Sequence, residues 1–177
     1  DVLSIKTTQD DDAIKQEVIE VTDMAVDRLI NMRQIEGKKM VEDLLARIDV
    51  IIGKIKEISS LSTGLIEEYV VKLEGRIKEI LKNQEIDQAR LAQEVVIYAD
   101  KCSIQEEVTR LDSHISQFEN LLNSDEAVGK KLDFIIQEMN RETNTIGSKA
   151  NNLEITNGVI DIKTEIENIR EQVQNIE

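Results

Sequence analysis

Two windows of this sequence hold acids, bases and an imidazole at spacings that a helix would gather on one face. In the first, Glu107, Arg110 and His114 follow one another by three and four residues, with Glu106 one position over. That spacing makes side chains neighbours on a helix surface. A carboxylate, a guanidinium and the single histidine of the chain can together hold a metal ion or a phosphate. The same row also describes an ordinary surface salt bridge beside a solvated imidazole. The second window, Gly129 to Lys149, reads GKKLDFIIQEMNRETNTIGSK. Glu138 and Glu142 lie four apart in it, and Arg141 lies three after Glu138. Lys130 and Lys131 open it, where free backbone N–H groups at a helix start would join them in meeting phosphate oxygens. Between Asp125 and Lys149 five acids (Asp125, Glu126, Asp133, Glu138, Glu142) face four bases (Lys130, Lys131, Arg141, Lys149). This stretch is therefore near neutral in a chain whose formal charge is -14. The plainer alternative is the polar outer face of an amphipathic helix.

Other chemistries find no support in the residues. No P-loop, G-x-S-x-G or H-E-x-x-H motif occurs. One cysteine and one histidine cannot supply a zinc-finger ligand set. Cys102 cannot form an internal disulfide, which fits a reducing cytoplasm; it reads as a small buried apolar residue. The strong negative charge excludes a generic basic nucleic-acid surface. It leaves a solvated helical interaction module, a metal-carboxylate site, or a nucleic-acid site confined to a local patch. No apolar run approaches the roughly 20 residues of a membrane helix, and no signal-peptide pattern opens the chain. The chain begins at Asp1 rather than Met, which suggests a natural start further upstream.

The elements that would carry these windows are helices. Pro and Trp are absent and aromatic residues make up 2% of the chain, while hydrophobic residues make up 40% and charged residues 33%. This profile suits long, surface-rich helices better than sheets, so the fold class expected is all-α. Residues 1–10 read as an extended lead-in, with Asp10, Asp11 and Asp12 favouring the positive end of a first helix. Ile14, Val18, Val21, Ala25, Leu29 and Met32, then Met40, Leu44, Ile48, Ile51, Ile55 and Ile58, form one apolar stripe. A helix that long needs a partner along its length. Ser59, Ser60, Ser62, Thr63 and Gly64 predict a break. A second helix carrying Leu65, Tyr69, Leu73, Ile77 and Ile80 would then fold back as an antiparallel hairpin.

Lys82 to Glu85 read as a polar turn, and Asp87 as the N-cap of a helix through Leu91, Val95 and Tyr98. Ser103 and Glu106 make a capping-box pattern for the next helix, whose apolar face is Val108, Leu111, Ile115, Phe118 and Leu122. Asn123 to Gly129 is a loop. Lys130 to Ile146 is helical, ended by Gly147, and a last helix runs from Ile155 to Ile176 with Val159, Ile162, Ile166, Ile169, Val173 and Ile176 as its seam. Phe118 and Phe134 are expected in the core, and Tyr69 and Tyr98 at a rim. The organisation expected is a long antiparallel helical hairpin at 1–86 and a smaller helical bundle at 87–177.

The stretches RLAQEVV (Arg90 to Val96), ADK (Ala99 to Lys101), EEVTRLDSH (Glu106 to His114), Gly129 to Lys149 as quoted, and IREQVQNIE (Ile169 to Glu177) resemble the C-terminal region of YicC/YloC-type endoribonucleases. The MR-x-x-EG run at Met32 to Gly37 and DLLARI at Asp43 to Ile48 are also similar to that family. The resemblance implies an upstream α/β-like domain that takes part in assembly, and hexameric rings that enclose RNA. It also implies cleavage of RNA phosphodiesters with a divalent metal, Mn²⁺ or Mg²⁺. Within the family-like motifs, Glu107, His114, Glu138 and Glu142 are the candidates for the metal or acid/base set. Arg110, Lys130, Lys131, Arg141 and Lys149 are the candidates for phosphate. A non-catalytic helical assembly module is the alternative reading.

Overall fold

A computed structural model describes residues 11–81, 87–124, 126–150 and 152–174. Among these residues the chain is all-α: α1 (Asp11–Leu81), α2 (Gln88–Cys102), α3 (Gln105–Leu122), α4 (Gly129–Lys149) and α5 (Leu153–Val173). The chain divides into two compact units, Asp1–Glu42 and Asp43–Glu177, and α1 contributes residues to both.

The expected turn at Ser59 to Gly64 does not form, so there is no antiparallel hairpin within α1, which runs through these positions unbroken. The polar side chains satisfy themselves inside the helix instead of ending it. The Ser62 hydroxyl donates to the Ser59 carbonyl at 2.9 Å and the Thr63 hydroxyl to the same carbonyl at 3.0 Å. The apolar spacing also persists across the segment, because Ile58 and Leu65 are both buried. The polar turn expected at Lys82 to Glu85, the lead-in at 1–10 with Asp10, and Asp125 and Ile176 lie outside the described residues.

The long apolar stripe divides between the two units. In the second, Leu44, Ile48, Ile51, Ile55 and Ile58 are buried at alternating steps of four and three, and Leu65 follows seven residues on, a spacing that holds one helix edge against a neighbour. Burying each contributes about 1.5–3 kcal/mol. In the first unit, Ile14, Val18, Val21, Leu29 and Met32 remain 43–65% exposed, as do Ile19, Met24, Val26, Ile30 and Ile35.

In the second unit α4 packs against both α3 and α5, and α5 runs antiparallel beside α1. Arg47 reaches Glu165 at 2.9 Å and Lys54 reaches Asp161 at 3.3 Å, while the Gln172 amide donates to Asp43. At Gly158 a Cβ would fall 3.1 Å from Cγ1 of Ile58, so a side chain there would hold α5 off α1. Ile155, Val159, Ile162, Ile166, Ile169 and Val173 form the inner edge of α5. Asn152 caps the helix, accepting from the N–H groups of Glu154 and Ile155 at 2.7 and 3.1 Å. Tyr69 of α1 stacks on Tyr98 of α2, with ring centroids 3.6 Å apart.

The remaining local expectations divide. Asp87 caps α2 as expected, accepting from Ala89 and Arg90. Ser103 and Ile104 separate α2 from α3, but α3 starts from Ile104 without a side-chain cap; Glu106 turns forward to Arg110 rather than back to Ser103. Gly147 lies inside α4, which continues to Lys149. Its role is clearance, because a Cβ would meet Cγ1 of Val159 at 3.0 Å. Phe118 is fully buried, whereas Phe134 is 62% exposed: Leu132, Ile135 and Ile136 take the inward positions of that turn. Cys102 is half-buried and free.

Candidate metal and phosphate site

Helices α3 and α4 lie antiparallel and share a polar seam. Their inner faces are apolar, with Val108, Leu111, Ile115 and Phe118 on α3 and Leu132, Ile135, Ile136, Met139 and Ile146 on α4. Residues one step round from those faces meet at the edge of the interface. On α3 they are Glu107, Arg110 and His114, and on α4 they are Lys149, Glu142 and Glu138. Three levels follow, each about one to two helical turns from the next.

At the first level, Lys149 Nζ lies 2.7 Å from Oε1 of Glu107 and 2.9 Å from the carbonyl of Ser103. Glu107 is 6% exposed. The lysine thereby ties the end of α4 to the start of α3 and to the residue that closes α2. At the second level, Arg110 donates to Glu106 on its own helix and lies 3.7 Å from Oε1 of Glu142. Glu142 is 4% exposed, so its carboxylate needs compensation.

At the third level, His114, Glu138 and Glu142 each offer a ligand atom, and these atoms all lie within 4.8 Å of one another. Nδ1 of His114 is buried and has no hydrogen-bond partner among the protein atoms. Arg141 lies 3.6 Å from Glu138 on the solvent side. An imidazole nitrogen with two carboxylates is a mixed nitrogen and oxygen donor set whose two carboxylates suit a divalent ion such as Mn²⁺ or Mg²⁺.

Of the residues singled out in the sequence, His114, Glu138 and Glu142 come together, with Arg110 and Arg141 on either side. Glu107 does not join them, because Lys149 holds it. Lys130 and Lys131 lie about 10–12 Å along α4 from Glu138 at 1.5 Å per residue, and Lys131 pairs with Glu126 at 2.8 Å. Glu106 lies beside the first window and reads in sequence as the capping-box partner of Ser103, yet it bonds to Arg110. Its four-residue spacing to Arg110 was the available signal that it anchors that guanidinium. The pairs that join α1 to α5 had no local signal, since Arg47 and Glu165 are 118 residues apart.

Comparison with known proteins gives two kinds of match. The family model described as "Endoribonuclease YicC-like, C-terminal" matches residues 58–177. A protein of Clostridioides difficile (strain 630) described as "Probable endoribonuclease YicC" is 47% identical over 179 aligned residues, covering 100% of this chain and 61% of the relative. A Haemophilus influenzae protein of the same description is 36% identical over 169 residues, covering 96% of this chain and 58% of the relative. The chain thus spans about three fifths of the length of these relatives.

Proposed function

This chain belongs to the YicC-like endoribonuclease family, and from that membership we propose that it forms the C-terminal part of a divalent-metal-dependent enzyme that cleaves RNA phosphodiester bonds. The observation that carries the metal reading is the meeting of His114, Glu138 and Glu142 at the α3–α4 seam. When bound there, Mn²⁺ or Mg²⁺ supplies positive charge to the scissile phosphate and lowers the pKa of water. His114 and the two glutamates hold the ion. Arg110 and Arg141, both more than half exposed, grip phosphate oxygens from either side of the cluster. Lys130 and Lys131, with the first N–H groups of α4, receive phosphates further along the strand. Lys149 acts from behind by fixing α3 against α4. A local site of this kind suits a chain of net charge -14, because a divalent ion held there would offset the like charges of acidic side chains and RNA.

RNA is the proposed partner, with a homo-oligomer, a hexamer at full length, as the proposed working assembly and the cytoplasm as its proposed compartment. No helix of the described residues is long and apolar enough to cross a membrane. The test uses protein of the relatives' full length containing this chain. It should cut single-stranded RNA in Mn²⁺ and stop in chelator. Glu138→Ala and His114→Ala should each lower the rate by about 100-fold or more, the order expected of an essential electrostatic group, with helicity unchanged. Normal cutting by both variants would remove the cluster from the mechanism.

The second reading, a non-catalytic helical assembly module, draws on the exposed apolar side chains between Ile14 and Ile35. It predicts an oligomer that binds RNA or protein without cutting, whatever metal is added.

A further inference from the structure

We propose that Arg110 is a counter-ion that the metal displaces. Arg110 and the divalent ion compete for Glu142, and metal binding turns the guanidinium outward to a substrate phosphate. This rests on the metal reading of the His114–Glu138–Glu142 cluster and adds an order of events to it. Arg110 NH1 lies 3.7 Å from Oε1 of Glu142, on a carboxylate that also belongs to the ligand cluster. A dication on that carboxylate and a guanidinium beside it repel one another, and the low exposure of Glu142 limits solvent screening.

Arg110 has somewhere else to go. Its NH2 already donates to Glu106, one turn back on the same helix. The guanidinium is 54% exposed and Glu106 is 68% exposed, so movement toward Glu106 opens no cavity in the core. In that outward position Arg110 stands at the rim of the cluster with donors turned to solvent, where a planar, forked cation receives a phosphodiester. The exchange also avoids leaving Glu142 buried and uncompensated at any stage, since arginine and metal replace one another. Metal and phosphate binding are then thermodynamically coupled, each strengthening the other.

The experiment is a Mn²⁺ titration of the 177-residue chain, followed by loss of the free-ion electron paramagnetic resonance signal. Removing the competitor in Arg110→Met should tighten Mn²⁺ binding about tenfold, within the usual range of site–site coupling. Removing the outer anchor in Glu106→Gln, an exposed position that leaves the fold intact, should weaken it several-fold. Binding of a short 2′-deoxy oligonucleotide should be strengthened by Mn²⁺ in the native chain and much less so in Arg110→Met. Uptake of Mn²⁺ that is equal or weaker in Arg110→Met overturns the competition. If that variant does not fold, equal or tighter uptake by Glu106→Gln overturns it. Equal strengthening of oligonucleotide binding in both chains overturns the outward turn. A native chain that takes up no Mn²⁺ overturns the metal reading itself, an outcome distinct from the others.

Discussion

At the scale of single residues, the α3–α4 seam contains two buried glutamates with different partners. Glu142 opens onto the His114 cluster, whereas Glu107 is closed off by Lys149. The difference predicts different consequences of mutation. Lys149→Met leaves the Glu107 carboxylate buried without its cation, with Oε2 already lacking a partner. Breaking a buried pair from one side costs about 3 kcal/mol or more. Glu107→Gln costs less, because the freed ammonium keeps the Ser103 carbonyl and reaches water. Urea unfolding of the two variants should show this order. Neither should change Mn²⁺ uptake per folded molecule if Glu107 stands outside the cluster; a loss of uptake in Glu107→Gln would return it to the ligand set.

At the scale of elements, the junction of α1 and α5 is fastened by polar groups beside the apolar seam. The hydrogen bond from Gln172 and the neighbouring Arg47 guanidinium hold the Asp43 carboxyl below its ordinary range. A folded-state pKa that is lowered means a stabilising contribution that is fully present above the unfolded value. It is lost as pH falls through the folded value. Asp43→Asn should therefore melt at a lower temperature than the native chain near neutral pH. The gap should narrow below about pH 4, where the unfolded carboxyl begins to take up its proton. Melting curves across that range check the sign; a gap that widens toward acid would refute it.

The same junction shows what sequence could and could not reveal about the fold. The heptad-like steps of Ile48 to Ile58 and Val159 to Val173 mark two helices with an apolar edge, and the Asp87 cap and the end of α3 at Leu122 fall where their residue types place them. Which edges meet is set by contacts over a hundred residues apart, such as Arg47 with Glu165, and no local pattern encodes them. The Ser59 to Gly64 cluster misled for a related reason. Hydroxyl and glycine residues break a helix when nothing else holds it, but here hydroxyls bond back to Ser59 and buried Ile58 and Leu65 bracket the segment. The cluster of His114, Glu138 and Glu142 was legible because both windows lie on consecutive antiparallel helices. Glu107 went to Lys149 instead because that lysine sits at the matching level of α4.

At the scale of the whole molecule, the two units bury apolar surface to very different degrees. The second holds the buried leucine, isoleucine and phenylalanine side chains of α1, α3, α4 and α5, while the first presents ten large apolar side chains between Ile14 and Ile35 at 43–65% exposure. A single helix gains little from propensity alone, and a stable one rests on packing of its apolar face. Removing residues 1–42 should therefore leave the melting temperature of the remainder close to that of the intact chain, because the core it keeps is its own. If apolar faces of the first unit join copies of the chain, the same deletion should lower the mass measured by light scattering. Amide exchange between Ile14 and Ile35 should then slow as the intact chain is concentrated, since burial against another copy closes hydrogen bonds that otherwise open locally. Exchange that stays fast at every concentration, with unchanged mass on deletion, would rule out self-association through this segment.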